Sequence, residues 1–116
     1  MMIIDMRMHP EIRSQVKSGV SALLVQSRQI WGDTRHNLPD IIVRLMVGVG
    51  DIARTARDYV GRHIKGDEWD EDLKKELGNV ILSTIRWTDD LGFDVLECLD
   101  LAINAQEKFA NSGRPR

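Results

Sequence analysis

The sequence predicts an all-α fold in the form of a four-helix bundle-like domain. Hydrophobic residues make up 42% of the 116 residues and charged residues 29%, which is typical of a soluble globular protein. Aromatic residues make up only 5%, and apolar residues recur every three to four positions over long segments, which indicates amphipathic helices rather than strands. A chain of this length buries one core, so we expect residues 1–116 to form a single domain.

The first helix is predicted to begin at Pro10 and to run to about Trp31. Proline suits the first turn of a helix, where its missing N–H is not needed, and Gly32 suits the position just after a helix end. The apolar residues of this segment recur mostly at three- to four-residue intervals, which predicts one buried stripe.

The second helix is predicted to start near Pro39 and to end at about Gly61 or Lys65. Gly48 and Gly50 lie in its middle, where each glycine costs about 1 kcal/mol relative to alanine. Two glycines so close together indicate a close approach by another backbone or a ligand, or a local kink.

The third helix follows an acidic segment in which Asp67 or Asp70 is the expected N-cap, and Gly92 is expected to end it. Asp94 is followed three residues later by Glu97, the spacing of a capping box. This spacing predicts the start of a fourth helix.

Charge and cysteine content limit the partners that we expect. The net charge of −2 and the pI near 5.9 provide no basic field for nucleic acid. Cys98 is the only cysteine, which excludes an internal disulfide framework and a multi-cysteine zinc site and favours a reducing cytoplasm. Asp5 and Arg7 interrupt the apolar residues near the start, so we expect neither a signal peptide nor a membrane partner.

Polar residues share one edge on each of the two central helices when these are projected at 3.6 residues per turn. If the helices pack antiparallel, Asp51 and Glu76 would lie in one oxygen-rich pocket that suits Mg²⁺. The same spacing also fits a solvated acidic helix face. The two edges carry Arg44, Gly48, Asp51, Thr55 and Asp58 on the second helix and Asp72, Glu76, Asn79, Ser83 and Arg86 on the third.

Three segments occur in the order found in a known family. ELGNVILSTIRWTDDLGFD at 76–94 resembles the second signature of the MazG-like all-α nucleotide pyrophosphohydrolases, in which ELGDV opens a helix. LMVGVGDIA at 45–53 resembles the LxEEVGELA stretch of that family, and AQEKF at 105–109 resembles its closing ANEKF-type stretch. The resemblance covers about residues 37–114, so the helix at about 10–31 would be an extra N-terminal element.

This resemblance implies a MazG fold that forms homodimers or homotetramers through helical faces and cleaves nucleoside triphosphates to monophosphate and pyrophosphate with Mg²⁺. The family holds its metal with an EExxE stretch and an ExxD stretch. These stretches fall on Val47, Gly48 and Asp51, and on Glu76 and Asn79, so that only Glu76 is unchanged. Asp51 and Glu76 are therefore the candidate catalytic residues and metal ligands.

The departures from the family pattern predict a changed site. Five potential anionic ligands fall to two, and since affinity for a divalent ion depends on ligand charge, we expect Mg²⁺ to be bound weakly or to be absent. Gly48 stands where the family pattern has a glutamate, so this position lacks a negative charge that would repel an anionic ligand. Asn79 offers a neutral carbonyl and an N–H that can hydrogen-bond a phosphate or a base, so both positions are candidate ligand-binding residues.

Other residues extend this candidate site. Lys108 matches the lysine of the closing stretch and could contact phosphate, although a lysine near a helix C-terminus also stabilises the helix dipole. Trp69 is the candidate for stacking on a base, whereas Trp31 and Trp87 are assigned to the core or to an interface. Four other acids could replace lost ligands if they point inward: Asp58, Asp72, Asp89 and Asp90.

Three functions follow from these observations. The first is a MazG-like protein that binds a nucleotide or a nucleotide-derived ligand, with hydrolysis weak or lost. The alternative is an active Mg²⁺-dependent nucleoside triphosphate pyrophosphohydrolase. A further alternative is an oligomeric protein-interaction scaffold that keeps the bundle for its surface.

Overall fold

The computed structural model describes residues 8–62 and 66–113, and the side chains of 59–62 and 66–69 are outside this description. Over these residues the chain forms four helices and no strand: α1 (Pro10–Trp31), α2 (Leu38–Arg62), α3 (Gly66–Asp90) and α4 (Val95–Asn111). The predicted all-α class is therefore confirmed. None of the described helices is both long enough and apolar enough to cross a membrane.

The ends of α1 and the start of α2 follow from local chemistry. Pro10 opens α1 as predicted, and Gly32 ends it with φ of 83°, a left-handed conformation that favours glycine. The Gly32 N–H donates to the carbonyl of Arg28 over 2.7 Å. Asn37 Oδ1 accepts the N–H of Asp40 over 3.0 Å, which satisfies one of the free donors at the start of α2.

The start of α3 differs from the prediction, while its end agrees with it. The helix begins at Gly66, so Asp67 and Asp70 lie within it and neither is its N-cap. Several acids in succession are similar candidates for the N-cap. The helix begins before both predicted residues, at the first described residue after 63–65. Gly92, with φ of 78°, follows the end of α3, and Asp94 caps α4 by accepting the Leu96 N–H over 2.9 Å.

Helix α3 is the centre of the packing. It contacts α1, α2 and α4, and α1 also contacts α4, whereas α2 contacts only α3 among the described residues. Gly48 of α2 lies against Val80 of α3, and Asp51, later in α2, shares a cleft with Glu76, earlier in α3. The two helices are therefore antiparallel, as the sequence predicted.

The single chain is open rather than compact. Its radius of gyration is 17.4 Å, whereas a compact domain of this length has a radius of about 13 Å. The apolar face of α2 is largely exposed, with Met46 68% accessible. Few hydrophobic residues are buried among those whose side chains are described: Val20, Ile41, Trp87, Val95 and Leu96.

A charged cluster fixes the segment between α1 and α2 against the end of α3. Arg28 Nη2 lies 2.8 Å from Asp89 Oδ2 and 2.6 Å from Asp90 Oδ1. Arg35 donates to the carbonyl of Asp89, and the N–H of His36 donates to Asp90 Oδ2 over 3.2 Å. The hydrogen bond to Asp89 raises the pKa of Arg28, which outweighs the opposite effect of burial. These contacts position the residues that precede α2.

Candidate functional site

A cleft of about 640 Å³ lies between α2 and α3. Ligand-binding clefts in proteins commonly have volumes of about 300 to 1,000 Å³, so this one has room for a small molecule. The C-terminal residue of α1 and the segment that follows it also line the cleft. Its lining divides into an acidic end and a basic, aromatic end.

The acidic end contains four of the residues that the sequence identified. Asp51 and Gly48 line it from α2, and Glu76 and Asn79 line it from α3. They meet because three- and four-residue steps keep side chains on one edge of a helix, and the two edges lie alongside each other in an antiparallel pair. The structure thus places these residues together, while their roles toward a ligand stay predictions.

The two carboxylates at this end have local basic neighbours. Asp51 Oδ1 accepts from Arg54 Nη2 over 3.0 Å, and Glu76 Oε1 lies 3.6 Å from Lys75 Nζ. The Glu76 side chain is 13% accessible and that of Asp51 34%. Among the described residues, no group of three or more His, Cys, Asp or Glu side chains is placed to hold a metal ion. The two carboxylates would need additional oxygen ligands, such as phosphate, to complete a magnesium shell.

One of the two glycines in α2 has a packing explanation. A Cβ added to Gly48 would lie 3.1 Å from Val80 Cγ2, a distance tighter than most real contacts of a Cβ atom, so that Val80 would have to shift by a few tenths of an ångström. The close approach predicted from the sequence is therefore found at Gly48, and it is made by a side chain of α3. A Cβ on Gly50 would meet no atom within 4 Å, and nothing in the structure explains that glycine.

The other end of the cleft is basic and aromatic. Arg44 lines it from α2 and Arg86 and Trp87 from α3, while Trp31 and His36 come from the end of α1 and the following segment. The guanidinium carbon of Arg86 lies 5.6 Å from the centroid of the Trp31 ring, in the range of a cation–π interaction. The two ends of the cleft therefore differ in charge.

Burial of Arg86 affects its acid–base behaviour. The side chain is buried, and this desolvation lowers the pKa of Arg86. Asp90 opposes that shift, while the positive charges of Arg28 and Arg44 add to it. Arg86 still carries its charge at neutral pH, because an arginine starts from a very high pKa.

Sequence reasoning missed the contribution of Trp31. The sequence assigned Trp31 to the core or to an interface. The core assignment is wrong, because Trp31 is 69% exposed and lines the cleft beside Arg86, and the interface assignment stays a prediction. The sequence placed Arg44 and Arg86 on the two helix edges that carry Asp51 and Glu76 but assigned them no role. No comparable signal exists for Trp31, since its position depends on how α1 crosses α3.

The remaining candidate residues are not part of the cleft lining that the structure describes. Lys108 is exposed in the last turn of α4, away from that lining, and its phosphate contact stays a prediction. The side chain of Trp69 lies outside the described residues. Asp89 and Asp90 bind Arg28, and Asp58 lies 3.8 Å from Arg57. The four acids considered as replacement ligands are absent from the described cleft lining: Asp58, Asp72, Asp89 and Asp90.

The fold and the cleft define a class of protein, an all-α chain with a ligand-sized cleft between two antiparallel helices. No family model, curated protein or solved structure matches the chain. The resemblance to MazG-like proteins therefore depends on the three sequence segments quoted above.

Proposed function

We propose that this is a MazG-like nucleotide-binding protein with the MazG fold, in which hydrolysis is weak or lost. The observation that carries the proposal is the meeting of Gly48, Asp51, Glu76 and Asn79 around one cleft of about 640 Å³. These are the positions at which the family places its metal-binding residues. A cleft of that size accommodates a nucleotide, and its two ends offer acceptors and cations to different parts of such a ligand.

The same residues argue against efficient hydrolysis. Cleavage of a triphosphate needs a cation that neutralises the transferring group and helps to activate water. Asp51 and Glu76 are the only carboxylates in the described lining of the cleft. We propose that they hold Mg²⁺ weakly or not at all in the absence of nucleotide, and that phosphate oxygens of the ligand would have to supply further ligands.

Calorimetric titration with a panel of nucleotides, with and without Mg²⁺, tests binding. We expect at least one nucleotide to bind in the presence of EDTA, with weaker binding in the variant Asn79→Ala. Asp72→Ala is the matched control, because Asp72 is an exposed residue of α3 that does not line the cleft. A panel in which no nucleotide binds under either condition would refute the proposal.

The alternative function, an active Mg²⁺-dependent pyrophosphohydrolase, depends on Asp51 and Glu76. Its test is pyrophosphate release that requires Mg²⁺ and disappears in Glu76→Ala. A second test restores family-type acids with Gly48→Glu and Asn79→Asp. Because a side chain at Gly48 would press on Val80, the restored variant should also carry Val80→Ala. Activity in this variant and none in the parent would support lost hydrolysis, whereas turnover by the parent would favour the alternative.

The exposed face of α2 supports a homodimer or homotetramer formed through helical faces. In the part of the chain that the structure describes, α2 contacts only α3, and it leaves several large apolar side chains open to solvent. A second copy of the chain would cover this surface, as apolar helix faces do in obligate oligomers. The protein-interaction scaffold considered above would use the same surface. Nucleotide binding to an assembled protein favours the first function, and assembly without any ligand favours the scaffold.

Cys98 supports a cytoplasmic location, which we propose for the protein. It is a free, half-buried thiol on α4. Free thiols persist in a reducing compartment. Fluorescence microscopy of a tagged full chain would test this location.

A further inference from the structure

Arg86 is a buried arginine that has no bound counter-ion among the described residues. It is 7% accessible, and no described residue forms a hydrogen bond with its Nε. Within the described part of the chain, its guanidinium lies within 4.0 Å of no carboxylate, and its one defined partner is the ring of Trp31. Buried cations are normally paired with anions and hydrogen-bonded, because an unpaired charge is costly to remove from water.

The nearby carboxylates are already engaged by other residues. Asp90 acts on Arg86 only through its field, since its oxygens bind Arg28 and the N–H of His36. Asp89 is shared between Arg28 and Arg35. Arg28 and Arg35 therefore occupy both acids. Neither acid neutralises the charge of Arg86 at short range.

A second cation faces the same space. Arg44 on α2 lines the basic end of the cleft, and its charge is close enough to affect the pKa of Arg86. Arg44 is exposed and forms no ion pair among the described residues. Two like charges held at one end of a cleft repel each other, and an anion between them would relieve that repulsion.

We propose that Arg86 and Arg44 form an anion subsite that binds a phosphate group of the ligand. The subsite deepens the nucleotide-binding proposal and rests on it for the identity of the complete ligand. Arginine suits this task because its planar guanidinium can donate two parallel hydrogen bonds to phosphate. Burial of Arg86 strengthens such bonds, since the surroundings screen charge less than water does.

This subsite fixes the direction of the ligand in the cleft. Glu76 and Arg86 are ten residues apart on α3, a separation of about 15 Å along a helix. A phosphate at Arg86 leaves the acidic end to the uncharged part of a nucleotide. Asp51 and Glu76 then accept hydrogen bonds from ribose hydroxyls or base N–H groups, a task that requires no metal. This orientation is the reverse of the one that a metal-dependent pyrophosphohydrolase would need, in which the phosphates lie at Asp51 and Glu76.

The test is a set of titrations in EDTA with three probes: inorganic phosphate, a nucleoside and the matching nucleoside monophosphate. Arg86→Met removes the charge while keeping a long apolar side chain, and Arg44→Met does the same at the second position. Loss of one charged hydrogen-bonding group should weaken phosphate and monophosphate binding at least about tenfold. Nucleoside binding should change much less. Arg57→Met is the control, because Arg57 has an exposed side chain outside the cleft lining.

The outcomes separate the two proposals. Monophosphate binding that is equal in the wild type and both cleft variants overturns the subsite and leaves nucleotide binding intact. Arginine-dependent binding of phosphate without tighter binding of any nucleotide supports the subsite and counts against nucleotide binding. If no probe binds, the subsite fails, and the nucleotide panel with and without Mg²⁺ decides nucleotide binding separately. Circular dichroism checks folding, and if Arg86→Met does not fold, unchanged phosphate affinity in Arg44→Met is sufficient to overturn the subsite.

Discussion

Arg28 Nη2 lies 2.6 Å from Asp90 Oδ1, and the Asp90 side chain is completely shielded from solvent. This ion pair connects α1 to the C-terminal turn of α3, and Asp90 also accepts the N–H of His36. One buried carboxylate thus holds together two helices and the segment that leads into α2. The cleft depends on this contact, because that segment carries part of its lining.

Removing Arg28 should strongly destabilise the protein. In Arg28→Met the carboxylate of Asp90 loses its main cation while it stays buried, and broken buried pairs of this kind cost about 3 to 5 kcal/mol. Urea denaturation measures the loss. Arg57, whose side chain is 75% exposed, provides the control, since Arg57→Met should change stability by less than about 1 kcal/mol. Equal effects of the two substitutions would contradict the role assigned to Arg28.

The two glycines of α2 should respond differently to alanine. Gly50→Ala should stabilise the protein by about 0.5 to 1 kcal/mol, because it improves helix propensity and its Cβ meets nothing. Gly48→Ala should gain less or lose stability, since its Cβ would press on Val80. Thermal unfolding of both variants, and of Gly48→Ala combined with Val80→Ala, measures the difference. Adding Gly48→Ala should give a more favourable change in unfolding temperature in the Val80→Ala background than in the wild type.

Asp94 should contribute to stability through its cap on α4. Its Oδ1 accepts the Leu96 N–H, and loss of such a cap costs about 1 kcal/mol. Asp94→Ala should lower the unfolding midpoint in urea, whereas Asp94→Asn should retain most of the stability because an amide oxygen also accepts the bond. A full loss in the asparagine variant would indicate that the negative charge matters more than the hydrogen bond.

The exposed face of α2 leads to a prediction about assembly. If a second copy covers this face, the unfolding temperature should rise with protein concentration, since association stabilises the folded state by mass action. Met46→Glu should remove that dependence and give a monomer in light scattering, because Met46 is 68% exposed on α2. Leu101→Glu is the control on α4, where the side chain is similarly exposed. A wild-type protein that stays monomeric at all concentrations would disprove the assembly.

The helix ends that depend on one or two residues could be predicted from the sequence. Gly32 and Gly92 adopt positive φ values at the ends of α1 and α3, and Asp94 binds an N–H in the first turn of α4. Each result follows from the chemistry of a single residue type. The predicted start of α3 was wrong because Asp67 and Asp70 were similar candidates for an N-cap, and both lie inside the helix.

The acidic end of the cleft was predictable for a different reason. Asp51 and Glu76 lie on regular helix edges, so that periodicity and an antiparallel pairing are enough to bring them to one place. The basic end also requires the crossing of α1 over α3, which places Trp31 over Arg86. Helix crossing angles depend on how side chains of both surfaces fit together, and this information is not contained in the periodicity of either helix.

The single neighbour of α2 has a consequence for the motions of the protein. Because α2 contacts only α3 among the described residues, it can unfold locally while α1, α3 and α4 stay assembled. In a monomeric form such as Met46→Glu, where no second copy covers α2, hydrogen exchange should therefore show α2 as a separate cooperative unit with the least protected amides of the four helices. One wall of the cleft belongs to this unit and the other to the stable remainder. A bound molecule that touches both walls would then slow exchange throughout α2, including at residues far from the cleft.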